Sequence, residues 1–394
     1  MSTVELLAPA GDLEKLKVAL YYGADAVYIG GTKFSLRARA SKFTIDMIEQ
    51  GVLFAHQLGK KVYVTTNIIP HNEDMGELIE YLQALDKIGV DAIICSSPYI
   101  METAFTHTSL EVHLSTQQSV LNSVFLNYWA DLGVSRIVLG REASLDQIRQ
   151  IQHKSKAELE VFIHGGMCVS YSGKCTLSNT MTSRDANRGG CAHSCRWNYL
   201  LRHKDTVLSN GYDFQMASKD LQTIRQIPEL IDIGIASLKI EGRMKSIHYI
   251  AVVVSTYREL INDSLCNQRK PYEYYENKMA KAENRETSSG FLLGKPSVNQ
   301  QLYNARSEFP NKEFVGLVEG YADGFLLVEQ RNHFVAGDWI EVLSPNPNTQ
   351  IFQVEAIYDS AGNLLDAARH PMQKIKIKTS VQCQPYDLLR KVSS

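Results

Sequence analysis

Eight short apolar runs recur in about the first 260 residues, most of them followed by a stretch whose apolar positions repeat every three or four residues. They are VELLAPA (4–10), AVYIG (26–30), KVYVTT (61–66), DAIICS (91–96), EVHLS (111–115), RIVLG (136–140), LEVFIHG (159–165) and SLKIEG (237–242). A run that is apolar throughout suits a strand covered on both faces, and consecutive parallel strands need a crossover helix between them. Stretches such as DLEKLKVALYYG and MGELIEYLQALDKIG supply those helices and close on a glycine. Eight such units match the size of a (β/α)8 TIM-type barrel, and no GxGxxG follows a strand to favour a dinucleotide fold. The expected class is therefore α/β.

The organisation that follows is a barrel over residues 1–263, with an insertion at 166–215 between strands 7 and 8, then a polar helical connector at 264–310. Residues 311–394 carry short strands separated by turns such as ADG and SAGN, and read as a small all-β barrel domain. No run approaches the roughly 18 apolar residues of a membrane span, and the N-terminus lacks the pattern of a secretory signal. A cytoplasmic, membrane-free protein is the expectation. With 41 Lys and Arg against 43 Asp and Glu, any contact with nucleic acid has to come from a local basic surface.

The insertion holds four of the seven cysteines, Cys168, Cys175, Cys191 and Cys195, spaced Cys-x6-Cys-x15-Cys-x3-Cys. Thiols in a reducing compartment more often bind metal than pair. Structural zinc sites use two tight pairs, and only the second pair here qualifies. An iron-sulfur cluster tolerates looser spacing because its metal corners lie apart. The six Lys and Arg against two Asp over residues 164–205 would offset an anionic thiolate cluster. Spacing favours the cluster and leaves zinc, and unmetallated thiols, as alternatives. Cys95, Cys266 and Cys383 are isolated and read as plain thiols.

Barrel enzymes work at the C-terminal ends of their strands. The polar residues expected there include Asn67, Gln117, Arg141, His164, Lys239, Glu241 and Arg243, with Arg37 and Arg39 from SLRARAS and Lys219 from MASKDL. The arginines suit a carboxylate or an RNA phosphate, which a guanidinium binds bidentately. His164 is the candidate acid/base, with a hydrogen-bonded supporting role as the alternative. Phe34 and Tyr171 could stack on a base, although core packing is the plainer reading.

Across LLAPAGDLEKLKVALYYGADAVYIGG, FSLRARASKF, FIHGGMCVSYSGKCTLSN, NRGGCAHSCRW, MASKDL, SLKIEGRMKS, RETSSGFLLGKP and FVGLVEGY, the chain resembles the collagenase-like peptidase family U32. It is most similar to the subfamily of prephenate-dependent hydroxylation of the tRNA wobble uridine. That resemblance implies a 4Fe-4S cluster on Cys168, Cys175, Cys191 and Cys195, prephenate as a small dicarboxylate co-substrate, tRNA as substrate, 5-hydroxyuridine as product and a paralogous subunit as partner. Three other readings stand beside it: a peptidase, a non-catalytic tRNA-binding partner, and a hydroxylase of ribosomal RNA or another substrate. The peptidase reading finds no HExxH and no GxSxG in the chain, and only Cys168 near His164 as a nucleophile and base.

Overall fold

In the computed structural model, residues 4–36, 43–208, 214–282, 285–302, 313–345 and 350–392 are described. The chain divides into two compact units, one built mainly from Ala24–Ala280 and the other mainly from Pro310–Ser394.

The first unit is the expected barrel. Its parallel strands are β1 (Glu5–Pro9), β2 (Ala26–Gly30), β3 (Lys61–Thr66), β4 (Ala92–Cys95), β5 (Glu111–Leu114), β6 (Arg136–Val138), β7 (Glu158–Gly165) and β8 (Ser237–Ile240). Each pairs with the next, and β8 closes the ring on β1 with Glu5 opposite Ser237. Helices cover its outside: α1 (Leu13–Tyr21), α2 (Ile45–Gln57), α3 (Leu78–Lys87), α4 (Pro98–His107), α5 (Ser123–Asp131) and α6 (Leu145–Gln152) follow β1 to β6, and α9 (Ile247–Leu265) follows β8. Side chains start several of them: Thr44, Asn122, Ser144 and Ser246 each accept a hydrogen bond from a first-turn N–H. Helix α9 buries twelve residues, among them His248, Tyr249 and Tyr257.

The barrel interior differs from an aliphatic plug. The Arg136 guanidinium meets Glu5 at 2.6 Å and Glu158 at 2.8 Å, and lies 3.6 Å from Glu160. Glu160, fully buried, takes the Lys239 ammonium at 2.6 Å. Tyr63 and Ser237 both donate to Glu5. Charges removed from water in this way have to pair, and the column alternates in sign from the strand N-termini up to Lys239.

Between β7 and β8 the chain forms a short helix, α7 (Leu177–Thr182), and a helix α8 (Ile227–Ile233). A three-residue strand, Asp220–Gln222, also pairs antiparallel with the end of β7, Leu221 opposite Gly165. Three residues without alternation leave no signature, so the sequence shows MASKDL only as a loop.

The second unit is an antiparallel sheet with strands β9 (Phe314–Ala322), β10 (Phe325–Gln330), β11 (Trp339–Leu343), β12 (Lys374–Lys378) and β13 (Leu388–Lys391) in the order β11-β13-β9-β10-β12, extended at both ends by shorter strands. The β9–β10 hairpin turns on Asp323 and Gly324, both with positive φ, as its tight two-residue turn requires. Val315, Leu326, Phe334, Ile340 and Ile377 fill one core. In KIKIKT the isoleucines face that core, and Lys374 is paired with Glu319 and Glu329.

Candidate functional site

A cavity of about 460 Å³ opens at the C-terminal end of the barrel strands. Its walls include Tyr28 of β2, Thr65 of β3, Ile94 of β4, Phe162 of β7 and Lys239 of β8. The volume lies in the roughly 300–1,000 Å³ range of small-ligand sites. Among its lining residues are Arg141, Arg196, Lys239, Arg243, Lys245 and Arg285, against one carboxylate, Glu241. Such a chamber attracts anionic groups.

Each cation is held in place by its own contacts. The Lys239 ammonium, bonded to Glu160, sits 4.5 Å from the centroid of the Tyr28 ring and 5.5 Å from that of Phe162. Arg243 donates to Thr65 Oγ1 at 3.1 Å and Ser35 Oγ at 3.3 Å. Arg141 lies 3.9 Å over Phe162, bonds Glu241 at 3.1 Å and donates to the Gly166 carbonyl. A cation on an aromatic face gains perhaps 0.5–2 kcal/mol, more as water is excluded. Arg285, from the connector, is buried with its guanidinium 3.4 Å from Asp220.

The cysteine loop forms the side of the chamber. Cys168, Cys191 and Cys195 are on its wall. Gly173, at φ +73°, lets the loop backbone press on Gln117, where an added Cβ would come within 2.8 Å of the Gln117 Cβ. Buried Ser178 accepts from the Ala192 N–H at 3.1 Å and lies 4.0 Å from Cys191 Sγ. Arg188 ties the loop to the segment after β3, meeting Asp74 at 2.6 Å and Glu73 at 3.0 Å.

Burial raises the Cys168 and Cys195 thiol pKa values. The Ser170 N–H and the Arg141 guanidinium oppose that rise at Cys168, and the Arg196 guanidinium does so at Cys195. Cys195 also feels the charges of Cys168, Cys191 and Cys175, so the four sulfurs share one electrostatic neighbourhood. Four soft donors with guanidinium groups beside them fit an anionic thiolate-bound cluster. Among the described residues, no group of three or more His, Cys, Asp or Glu side chains is arranged to hold a single metal ion.

Of the residues expected from the sequence, the structure brings Asn67, Gln117, Arg141, Glu241 and Arg243 to the cavity wall with those three cysteines. Cys175 does not line the cavity; its carbonyl accepts from Asn187 at 3.3 Å. Lys219 is also off the wall, paired with Glu286 at 3.0 Å. Arg37 and Arg39 lie outside the described residues. Phe34 is buried against Tyr81, whereas Tyr171 is 55% exposed.

His164 departs from the expectation that it faces the reaction chamber. Lys239 pairs with Phe162 but the next residue, Ile240, pairs with His164, so β7 carries an extra residue at this point. A bulge re-aims the side chains beyond it. Phe162 therefore faces the cavity, while the His164 ring packs on Tyr249 and Tyr257 of α9, with Nδ1 3.2 Å from Tyr257 Oη. Burial pushes its pKa down to about 3. The unfolded chain then takes up a proton below about pH 6.5 that the native state refuses, so stability falls as pH drops through that value. At pH 5 the cost is about 2 kcal/mol. Chemical unfolding at pH 7 and pH 5 should show that loss in the wild type and a smaller one in His164→Asn; equal losses would refute the assignment.

The arrangement can be set beside known proteins. The model of "Peptidase family U32" matches residues 11–302, and that of "Peptidase family U32 C-terminal domain" matches residues 310–390. The tRNA hydroxylation protein P1 of Bacillus subtilis is 47% identical over 400 residues, covering 98% of this chain and 94% of the relative. The 23S rRNA 5-hydroxycytidine C2501 synthase of Escherichia coli is 34% identical over 356 residues, 86% of this chain and 52% of the relative. A relative named collagenase, from Porphyromonas gingivalis, is 30% identical over 405 residues, 98% of this chain and 97% of the relative.

Proposed function

The chain belongs to peptidase family U32, and we propose that within it this protein is an RNA-modifying hydroxylase that forms 5-hydroxyuridine at the tRNA wobble position. The observation that carries the proposal is the cavity itself: six Lys and Arg side chains on a chamber walled on one side by Cys168, Cys191 and Cys195. The relative named for tRNA hydroxylation supports the choice of RNA, and its match extends over nearly the whole chain.

In this reading Cys168, Cys175, Cys191 and Cys195 hold a 4Fe-4S cluster, which supplies one-electron chemistry beside the cavity. The chain's own residues do the rest. A base flipped out of the anticodon loop enters between aromatic walls, where Tyr28 and Phe162 exclude water and Lys239 presents a fixed positive charge. The Arg196 and Lys245 side chains on the same wall meet the backbone phosphates. Prephenate, the small dicarboxylate expected from the family resemblance, has a guanidinium partner in Arg243, which the Ser35 and Thr65 hydroxyls orient. A paralogous subunit completes the assembly in this proposal.

The peptidase alternative loses His164, the base that the sequence offered beside Cys168. A cysteine nucleophile needs an imidazole within hydrogen-bond reach that can take its proton. His164 has its ring against α9 and a pKa of about 3, and so does not serve Cys168.

Nucleoside mass spectrometry of tRNA from a strain lacking the gene is the direct test. Loss of 5-hydroxyuridine derivatives, restored by this gene alone, is the expected result. Unchanged tRNA with a missing hydroxylated nucleoside in ribosomal RNA would replace the substrate, and no change in either would end the hydroxylase reading.

A further inference from the structure

The polar side chains on the cavity wall do not offer donors and acceptors evenly. Asn67 uses its side-chain oxygen to accept from the Leu36 N–H at 3.2 Å. Gln117 uses its own to accept from Ser115 Oγ at 3.0 Å. Both amides are nine-tenths buried and line the chamber, and each is left with its NH2 group for whatever enters. The Lys239 ammonium, ion-paired with buried Glu160 at 2.6 Å, can only donate. Three wall hydroxyls already spend their protons on the protein: Thr65 Oγ1 donates to the Ile29 carbonyl, Ser115 Oγ to Gln117 and Thr116 Oγ1 to the Leu139 carbonyl. Glu241, the one carboxylate on the wall, is engaged by Arg141.

Donors placed in this way favour an acceptor on the ligand edge that meets them and penalise a donor at that edge. A donor pressed against a donor leaves two buried polar groups unpaired, which costs more than a lost contact. Both pyrimidines share the carbonyl at position 2, but uracil presents an acceptor oxygen at position 4 beside its N3–H, whereas cytosine presents an amino donor at position 4 beside an acceptor N3, so donors facing position 4 favour uracil. We infer that Asn67, Gln117 and Lys239 are specificity-determining residues that select a 4-oxo pyrimidine and reject a 4-amino one. This rests on the reading of the cavity as the seat of an RNA base, and adds the rule by which that base is chosen.

Two substitutions reverse the polarity with little change of shape. Asn67→Asp keeps an oxygen for the Leu36 N–H and turns the remaining donor into an acceptor. Gln117→Glu does the same beside Ser115. The probes are two RNA hairpins that differ only in one loop nucleotide, uridine or cytidine, titrated by fluorescence anisotropy against the full chain purified without oxygen. The wild type should bind the uridine hairpin roughly tenfold or more tightly than the cytidine hairpin, the discrimination one well-placed hydrogen-bonding pair supplies. At least one variant should bring that ratio to about one or invert it. A ratio between two hairpins on one protein preparation is insensitive to how much of the variant is folded.

Equal affinity of the wild type for both hairpins would overturn the inference and leave the RNA reading standing. A wild-type preference retained in both variants would overturn it too, by placing the discrimination elsewhere. If neither hairpin binds, the RNA reading itself fails and takes the inference with it.

Discussion

A Cys191→Ala variant purified without oxygen should contain little iron or acid-labile sulfide, lack the visible absorption of a cluster, and fail to restore 5-hydroxyuridine in a deletion strain. The proposed loss is large because a ligand is removed outright. Changing a residue that merely orients a ligand already costs roughly 10–100-fold in metal affinity or activity. Cys191 is the informative position because its thiol opens to the cavity while the loop around it is held by other groups. The Ala186 N–H donates to Asn179, the Gly190 N–H to the Asp185 carbonyl and the Ala192 N–H to Ser178. None of these three bonds uses the sulfur, and the variant gives up only the long 4.0 Å bond from Ser178 Oγ to Cys191 Sγ, so it should keep its fold while losing the proposed cluster. Exposed Cys266 is the control, because its replacement by alanine should leave the iron content unchanged. Retention of iron in Cys191→Ala, or about one zinc and no iron in the wild type, would remove the cluster from the proposal.

The barrel was legible because its parallel strands are covered on both faces and most announce themselves as short, mainly apolar runs. AVYIG and DAIICS fall on β2 and β4 almost residue for residue. Strand ends also located part of the chamber, since Asn67, Gln117, Arg141, Glu241 and Arg243 all follow strands and all line it. Legibility failed where tertiary geometry overrides position along the chain. One extra residue in β7 reversed His164 while leaving Phe162 on the cavity wall. Arg285 enters from the connector, far along the chain from the cysteines, and no local pattern links the two. Arg196 follows Cys195 directly, and a cation beside a candidate thiolate ligand was the signal that could have found it.

Arg136 and Glu160 were legible as strand residues, but their pairing inside the barrel was not, and it governs the last prediction. Glu160→Gln removes one negative charge from the column and leaves the Lys239 ammonium, 4% exposed at the cavity floor, facing a neutral amide. Breaking a buried pair from one side typically costs about 3–5 kcal/mol, because the surviving charge loses its partner. Thermal unfolding should therefore drop by roughly ten degrees. The double variant Glu160→Gln, Lys239→Met should recover most of that loss, since the unpaired ammonium is gone and Arg136 keeps Glu5 and Glu158. Acidity should erase the difference as well. Burial raises the Glu160 pKa, but the Lys239 and Arg136 charges outweigh that and hold it below its ordinary 4.5. A carboxylate whose native pKa is depressed stabilises fully above its unfolded pKa, and loses that contribution as pH falls through the native value. The gap between wild type and Glu160→Gln should accordingly be full at pH 6 and shrink below pH 4.5. A single variant within about 1 kcal/mol of wild type, or a double variant no better than the single, would mean that the column does not hold Lys239 as a charged donor at the cavity floor. The base selection assigned to that residue would then have to rest on Asn67 and Gln117 alone.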